Sequence, residues 1–323
     1  MPSRNFLQYL IVSLKGIAMG AADVVPGVSG GTIAFISGIY EELIETIHKL
    51  DLGFFKIWKA QGFKMAWRYY NLGFLFALFG GVFVSILSLA KLIDWLLAHH
   101  PILVWSFFFG LIIASILYVA KQITKWQIVS VIAMLIATGF SYLITIAEPV
   151  GSPDSTWFLF FAGFIAIIAM ILPGISGAFI LLLLGAYTGV IATITQFVEG
   201  VMSMDWTIFS NAFIKLLVFA LGAILGLKTF SGALNWMFKH HKNIILAVLT
   251  GFMMGALNKI WPWKEVLKYR TNHNGEEVPF LEKSILPVNY PEDPKILWAI
   301  CLVILGFLTI FALERIAKVK EKE

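Results

Sequence analysis

Two short stretches hold the residue types from which a protein can build an anion cradle. They are Pro26-Gly27-Val28-Ser29-Gly30-Gly31-Thr32 and, 147 positions later, Pro173-Gly174-Ile175-Ser176-Gly177. Proline lacks an N–H and disrupts a helix, while neighbouring glycines permit a sharp turn and close backbone approach. Each stretch interrupts apolar sequence and is expected to end one helix and begin another. The free N–H groups, the dipole and the hydroxyls at the start of the second helix favour a negative charge. Gly27, Ser29, Gly30, Gly31 and Thr32 in the first copy, and Gly174, Ser176 and Gly177 in the second, are the candidate anion contacts. Pro26 and Pro173 are the structural breaks. Small residues at such spacing also serve helix packing, and a Pro/Gly break can be a plain hinge. Two copies at equivalent positions favour binding, because packing alone does not call for symmetric breaks.

Other polar groups stand in apolar surroundings. Asp23, three residues before Pro26, has Met170 at the equivalent place in the second copy. An intramembrane carboxylate is a functional candidate; Asp23 could bind a coupling proton or cation, or cap the turn through backbone N–H groups. The pairs His99-His100 and His240-His241 could gate by titration near neutrality or meet an anion at either face, or cap helix ends. Lys215 and Lys228 are candidates for a polar path. No zinc-type ligand spacing, nucleotide-binding loop or nucleophile elbow occurs, so neither metal, cofactor nor catalytic residues are expected, and the chain is read as a non-enzyme. Cys301 is the only cysteine, which excludes an intramolecular disulfide.

The elements that must position these groups are membrane helices. Of 323 residues 59% are hydrophobic and 13% charged, about half the charge of a soluble domain. Mean hydropathy is +0.85. The first apolar stretch, Phe6–Gly20, contains Lys15, lacks the features of a cleaved signal and is read as structural. The net charge of +5 fits cytoplasmic loops and does not call for nucleic acid.

The motif repeat extends along the chain. From Val24 to Ile47, ten of 24 positions are identical in the second copy, and Trp95-Leu96-Leu97-Ala98-His99-His100 returns as Trp236-Met237-Phe238-Lys239-His240-His241. The expected helices are 5–22, 31–48, 71–97, 102–120 and 126–147 in a first repeat over 1–150. In a second repeat over 151–323 they are 157–170, 177–198, 210–238, 243–260 and 296–314. The fold class is an all-α polytopic integral membrane protein of two five-segment repeats. Each repeat begins with a Pro/Gly-broken, re-entrant helical hairpin, with breaks at 23–32 and 170–179. Such breaks predict a cavity at membrane depth, because hydrocarbon cannot satisfy free backbone groups.

An odd number of crossings per half makes the two repeats inverted. Loop charge tests this independently. With both termini cytoplasmic, Lys49, Lys56, Lys59, Lys64, Arg68, Lys121, Lys125, Lys239 and Lys242 fall inside. His99-His100-Pro101 and the segments 148–156 and 199–209 fall outside, without lysine or arginine. The longer segments 49–70 (inside) and 261–295 (outside) are both candidates for interfacial helices.

Paired, Gly/Pro-interrupted apolar segments in matching halves point to the binding site of a transporter. The run Met19–Thr32, the second motif Ile171–Gly177, their spacing and the repeated His-His pair resemble those of the bacterial PopT-type polyprenyl-phosphate translocases, a membrane family formerly of unknown function. The resemblance covers essentially the whole chain. It implies a flippase in the bacterial cytoplasmic membrane that returns undecaprenyl phosphate, the lipid carrier of cell-wall precursors, from the outer to the inner leaflet. The partners it implies are that lipid and the bilayer; because the sequence carries no nucleotide-binding motif, proton or cation coupling is expected in place of ATP. The anion would then be a phosphate. Gly31 and Thr32, replaced by Ala178 and Phe179 in the second copy, make the first motif the stronger expected phosphate donor. Lys49 and Lys239 could receive the phosphate on the inner face. A carrier or exchanger for a small soluble anion, and an intramembrane enzyme or scaffold acting on lipid-linked precursors, remain the alternatives.

Overall fold

In a computed structural model of the chain, residues 4–25, 28–148, 155–271 and 277–320 are described. The first half contains α1 (Phe6–Val24), α2 (Gly30–Ile36), α3 (Tyr40–Lys49), α4 (Gly53–Gln61), α5 (Phe63–Tyr69), α6 (Leu72–His99), α7 (Pro101–Ala120) and α8 (Ile128–Ile146). The second contains α9 (Thr156–Ile171), α10 (Gly177–Leu183), α11 (Tyr187–Ser203), α12 (Trp206–His240), α13 (Lys242–Ala256), the strands β1 (Lys264–Thr271) and β2 (Glu277–Ser284), and α14 (Ile296–Lys320). Among the described residues, α1, α6, α7, α8 and α12 are long and apolar enough to cross a membrane, and α10 with α11 forms a further candidate, bent by 108°. Side chains such as Phe76, Phe83, Leu87, Ile136, Leu143 and Ile224 are left on the outside, as in a bundle whose solvent is lipid.

Helix pairing follows the repeat. α1 packs on α6 and α9 on α12, whereas α7 packs on α14 and α8 on α13. The last two helices of each half are thus exchanged, so the halves are interlocked and share one core. Glycines permit these crossings: Gly20 lies against Val82, Gly226 against Phe164, Gly306 against Phe107 and Gly251 against Met134, each facing the partner helix's backbone. Without a hydrophobic force between helices in lipid, such close backbone contact is what holds them together.

Three expectations are corrected. Helix 31–48 is two helices, because Gly38 sits at φ +74 and closes α2 with a paired turn: Gly38 N–H donates to Phe35 O at 3.0 Å and Ile39 N–H to Ala34 O at 3.0 Å. The second copy, expected over 177–198, breaks in the same way at Gly185, φ +70, with Gly185 N–H to Leu182 O and Ala186 N–H to Leu181 O, both 2.9 Å. This left-handed cap ends a helix and favours glycine. The segment 261–295 forms an antiparallel hairpin, β1 on β2, with Glu265 opposite Lys283 and Tyr269 opposite Pro279. Val266, Tyr269, Thr271, Val278 and Phe280 favour extended backbone, and Pro279 would break a helix. The membrane bundle is helical, as expected of an all-α polytopic protein, and the one two-stranded sheet among the described residues is confined to this segment. The segment 49–70, by contrast, is helical as expected: α4 and α5 carry Phe54, Phe55, Trp58, Phe63 and Trp67 in one chain of ring contacts.

Candidate functional site

The two breaks meet. Ser29 caps the start of α2, where its Oγ accepts from Gly31 N–H at 3.1 Å and donates to Leu172 O at 3.2 Å in the second break. Thr32 Oγ1 accepts from Gly174 N–H at 3.1 Å, and the Tyr40 hydroxyl donates to Ile171 O at 3.1 Å. A Cβ on Gly31 would stand 2.6 Å from Ile171 O, so only glycine lets the start of α2 press onto the end of α9. The carbonyls that α9 leaves unpaired at its C-terminus thereby find hydroxyl donors from the other half.

This stitching changes the expected chemistry. Ser29 and Thr32 are 1% and 0% exposed, so the junction is packed where the sequence led us to expect a cavity. The reason is that each break satisfies the other, which removes the need for water. Asp23 Oδ1 accepts from Gly30 N–H at 2.6 Å: of its two readings, capping is the one seen. Thr32 N–H is also engaged, on Ser29 O at 2.9 Å. The first motif, expected to be the stronger donor, has the N–H groups of Gly30, Gly31 and Thr32 occupied and a carboxylate on its helix start. The second has Met170 in place of Asp23. There Ser176 Oγ accepts from Phe179 N–H at 3.5 Å, a long contact. Pro26 and Gly27 lie outside the described residues.

The histidine pairs form two copies of one elbow. His99 stacks on Trp95 at 4.8 Å between ring centroids and pairs Nδ1 with Trp95 O at 2.9 Å. His240 does the same on Trp236, at 5.2 and 2.9 Å. His100 and His241 approach the same indoles edge-on. The pairs thus cap the C-terminal ends of α6 and α12. Lys228, farther back on α12, reaches α3: its ammonium donates to His48 O and, at 2.6 Å, to Leu50 O, just past the end of that helix.

Charged pairs gather at the two ends. Arg4–Glu42 at 2.6 Å and Lys242–Glu41 at 2.6 Å join segments expected on one side. Lys268–Glu148 at 3.1 Å joins two segments expected on the other. Lys49 is paired with Glu45 at 2.7 Å, and Lys239 lines a small pocket with Glu41, Glu45 and Asn235. Carboxylates therefore stand beside both lysines named as phosphate receivers.

Residues 19–278 match the model of a family described as undecaprenyl phosphate translocase-like. A protein of Vibrio cholerae named polyprenyl-phosphate transporter is 43% identical over 316 residues, 97% of this chain and 98% of the relative. A Staphylococcus aureus protein of the same name is 31% identical over 95% of this chain and 97% of its own length. No solved structure matches. A multi-pass apolar bundle, a motif pair meeting inside it and similarity along nearly the full length of both relatives make this chain a member of the undecaprenyl phosphate translocase-like family.

Proposed function

We propose that this chain is a secondary transporter that returns undecaprenyl phosphate from the outer to the inner leaflet of the bacterial cytoplasmic membrane. The observation that carries this reading is the junction of the two breaks, where Ser29 and Thr32 of one half bond to Leu172 and Gly174 of the other. It is joined by the names of the relatives, which extend polyprenyl-phosphate transport to this chain. The lipid's tail can stay in hydrocarbon while its charged head cannot cross unaided. A carrier must therefore offer the head a polar path open sideways to lipid. In the arrangement proposed, the two halves are inverted, both termini are cytoplasmic and the breaks are re-entrant.

The phosphate contacts are the backbone N–H groups and hydroxyls of Gly27, Ser29, Gly30, Gly31, Thr32, Gly174, Ser176 and Gly177. The packed junction described above is then an occluded form. A phosphate reaches the first motif only by displacing the Asp23 carboxylate from Gly30 N–H, one anion exchanged for another. No bond in the substrate is made or broken. The energy source is a proton or cation gradient, since the sequence carries no nucleotide-binding loop.

Purified protein in liposomes with a labelled short-chain polyprenyl phosphate tests the reading. The expected outcome is leaflet-to-leaflet movement of unmodified lipid. Chemical conversion would point to an enzyme, competition by excess inorganic phosphate to a soluble-anion carrier, and binding without movement would remove the flippase reading.

A further inference from the structure

The hairpin end of the protein holds a buried charge cluster that neither break explains. Lys259, just beyond α13, and Lys264, the first residue of β1, both donate to the same oxygen, Oε2 of Glu282 on β2, each at 3.3 Å. The side chains are 13%, 7% and 18% exposed. Two ammonium groups thus share one carboxylate oxygen and leave a net positive charge away from water. Aromatic faces complete the surroundings: Lys264 Nζ is 3.7 Å from the centroid of a Trp105 ring, and Lys259 Nζ is 4.8 Å from that of Phe179. Phe179 lies in the first turn of α10, next to the second break. Burial pulls the Lys264 ammonium down to about 8. Burial also pushes Glu282 up, but Lys264 and Lys259 outweigh it and hold the carboxyl below its usual range.

Desolvating charges is costly unless they are fully paired, and among the described residues the pairing here is one anion short. A phosphate monoester carries close to two negative charges and three acceptor oxygens, which is the complement two ammonium groups lack. The hairpin is also firmly mounted. Trp261 Nε1 donates to Ile285 O at 2.8 Å, Trp263 Nε1 to Pro294 O at 2.9 Å, and Ser284 Oγ to Asn258 Oδ1 at 3.0 Å. The first and third of these bonds hold the C-terminal end of β2 without using Glu282, so its carboxylate can withdraw from the lysines while the strand stays anchored.

We propose that Lys259 and Lys264 form a binding site for the phosphate monoester of a lipid at the hairpin end of the protein, and that Glu282 occupies this site as a resident anion when no lipid is bound. The proposal rests on the transport reading above and adds a place where the head group is first held, beside Phe179 at the start of α10. Glu282 sets the affinity by competing with the ligand. Phe179, where the first copy has Thr32, then serves as the ring beneath Lys259, a role for the departure between the two motifs.

The test is direct binding of farnesyl phosphate to the protein in nanodiscs of zwitterionic lipid, with farnesol and inorganic phosphate as separate probes. Lys259→Met and Lys264→Met are expected to weaken farnesyl phosphate binding on the order of tenfold, the loss of one charge-assisted contact. Glu282→Gln, close in shape and without the charge, is expected to tighten it several-fold while leaving farnesol unaffected. A cluster that only anchors the hairpin gives the opposite sign: Glu282→Gln lowers thermal stability and leaves affinity unchanged or weaker, which overturns the proposal. Inorganic phosphate binding as tightly as farnesyl phosphate overturns the lipid assignment. Should Lys264→Met fail to fold, Lys259→Met and Glu282→Gln still decide the matter. Parent protein that transports polyprenyl phosphate while these variants bind it unchanged sinks this site alone. Parent protein that neither binds nor transports it sinks the transport reading, and this site with it.

Discussion

Asp23 and Ser29 occupy the same turn and do different work. The carboxylate accepts from Gly30 N–H, whereas the Ser29 hydroxyl links its own helix start to Leu172 O across the molecule. Asp23→Asn keeps an acceptor oxygen in place and is expected to retain abundance and transport. Asp23→Ala removes the cap and should lower stability by about 1 kcal/mol, read as a fall in melting temperature in detergent. Loss of transport in a well-folded Asn variant would instead make the charge the functional element. Ser29→Ala breaks a bond between the halves, so it should depress both stability and transport. Ser176→Ala loses only the 3.5 Å contact to Phe179 N–H and should affect stability less; equal losses at the two serines would contradict the asymmetry seen here.

Adjacent glycines in α6 separate packing from propensity at the scale of the element. A Cβ on Gly81 would collide with the backbone of α1 at Ser13, while one on Gly80 meets nothing within 4 Å. Gly81→Ala should destabilise by about 1–3 kcal/mol, as overpacking does. Gly80→Ala should be neutral or stabilising by up to about 1 kcal/mol, the helix-propensity gain. Thermal unfolding of the two variants side by side checks both. These elements also mark what could be read in advance. The breaks and the Trp-His-His elbows were legible because proline, glycine and repeated aromatics signal locally. The Gly38 and Gly185 caps were signalled too, but the apolar run around them hid the stop. The hairpin was missed because aromatic residues among lysines fit an interfacial helix as well as a strand. Lys259, Lys264 and Glu282 could not be grouped from sequence at all, since only the β1–β2 register and the fold of α13 bring them to one oxygen.

For the whole molecule, the exchange of α7 and α8 with α13 and α14, which pairs α7 with α14 and α8 with α13, has no counterpart in the one-dimensional repeat, which is silent about which half a helix joins. The charge pattern was more informative: Arg4, Glu41, Glu42 and Lys242 do gather at one end, and Glu148 with Lys268 joins segments assigned to the other. Cys301 is exposed and is the only cysteine, so Cys301→Ser provides a background for site-directed labelling. A cysteine at position 56 or 121 should react only from the cytoplasm and one at 268 only from outside; labelling of 56 from outside would reverse the orientation. The bond from Gly174 N–H to Thr32 Oγ1 bears on this same scale. Neither break can loosen without stranding a buried polar group of the other, so a half-open protein loses partners on both sides at once. On the proposed transport reading, opening is then expected to be close to all-or-none, which would keep scarce the half-open conformers whose water-filled paths leak protons and ions across the membrane.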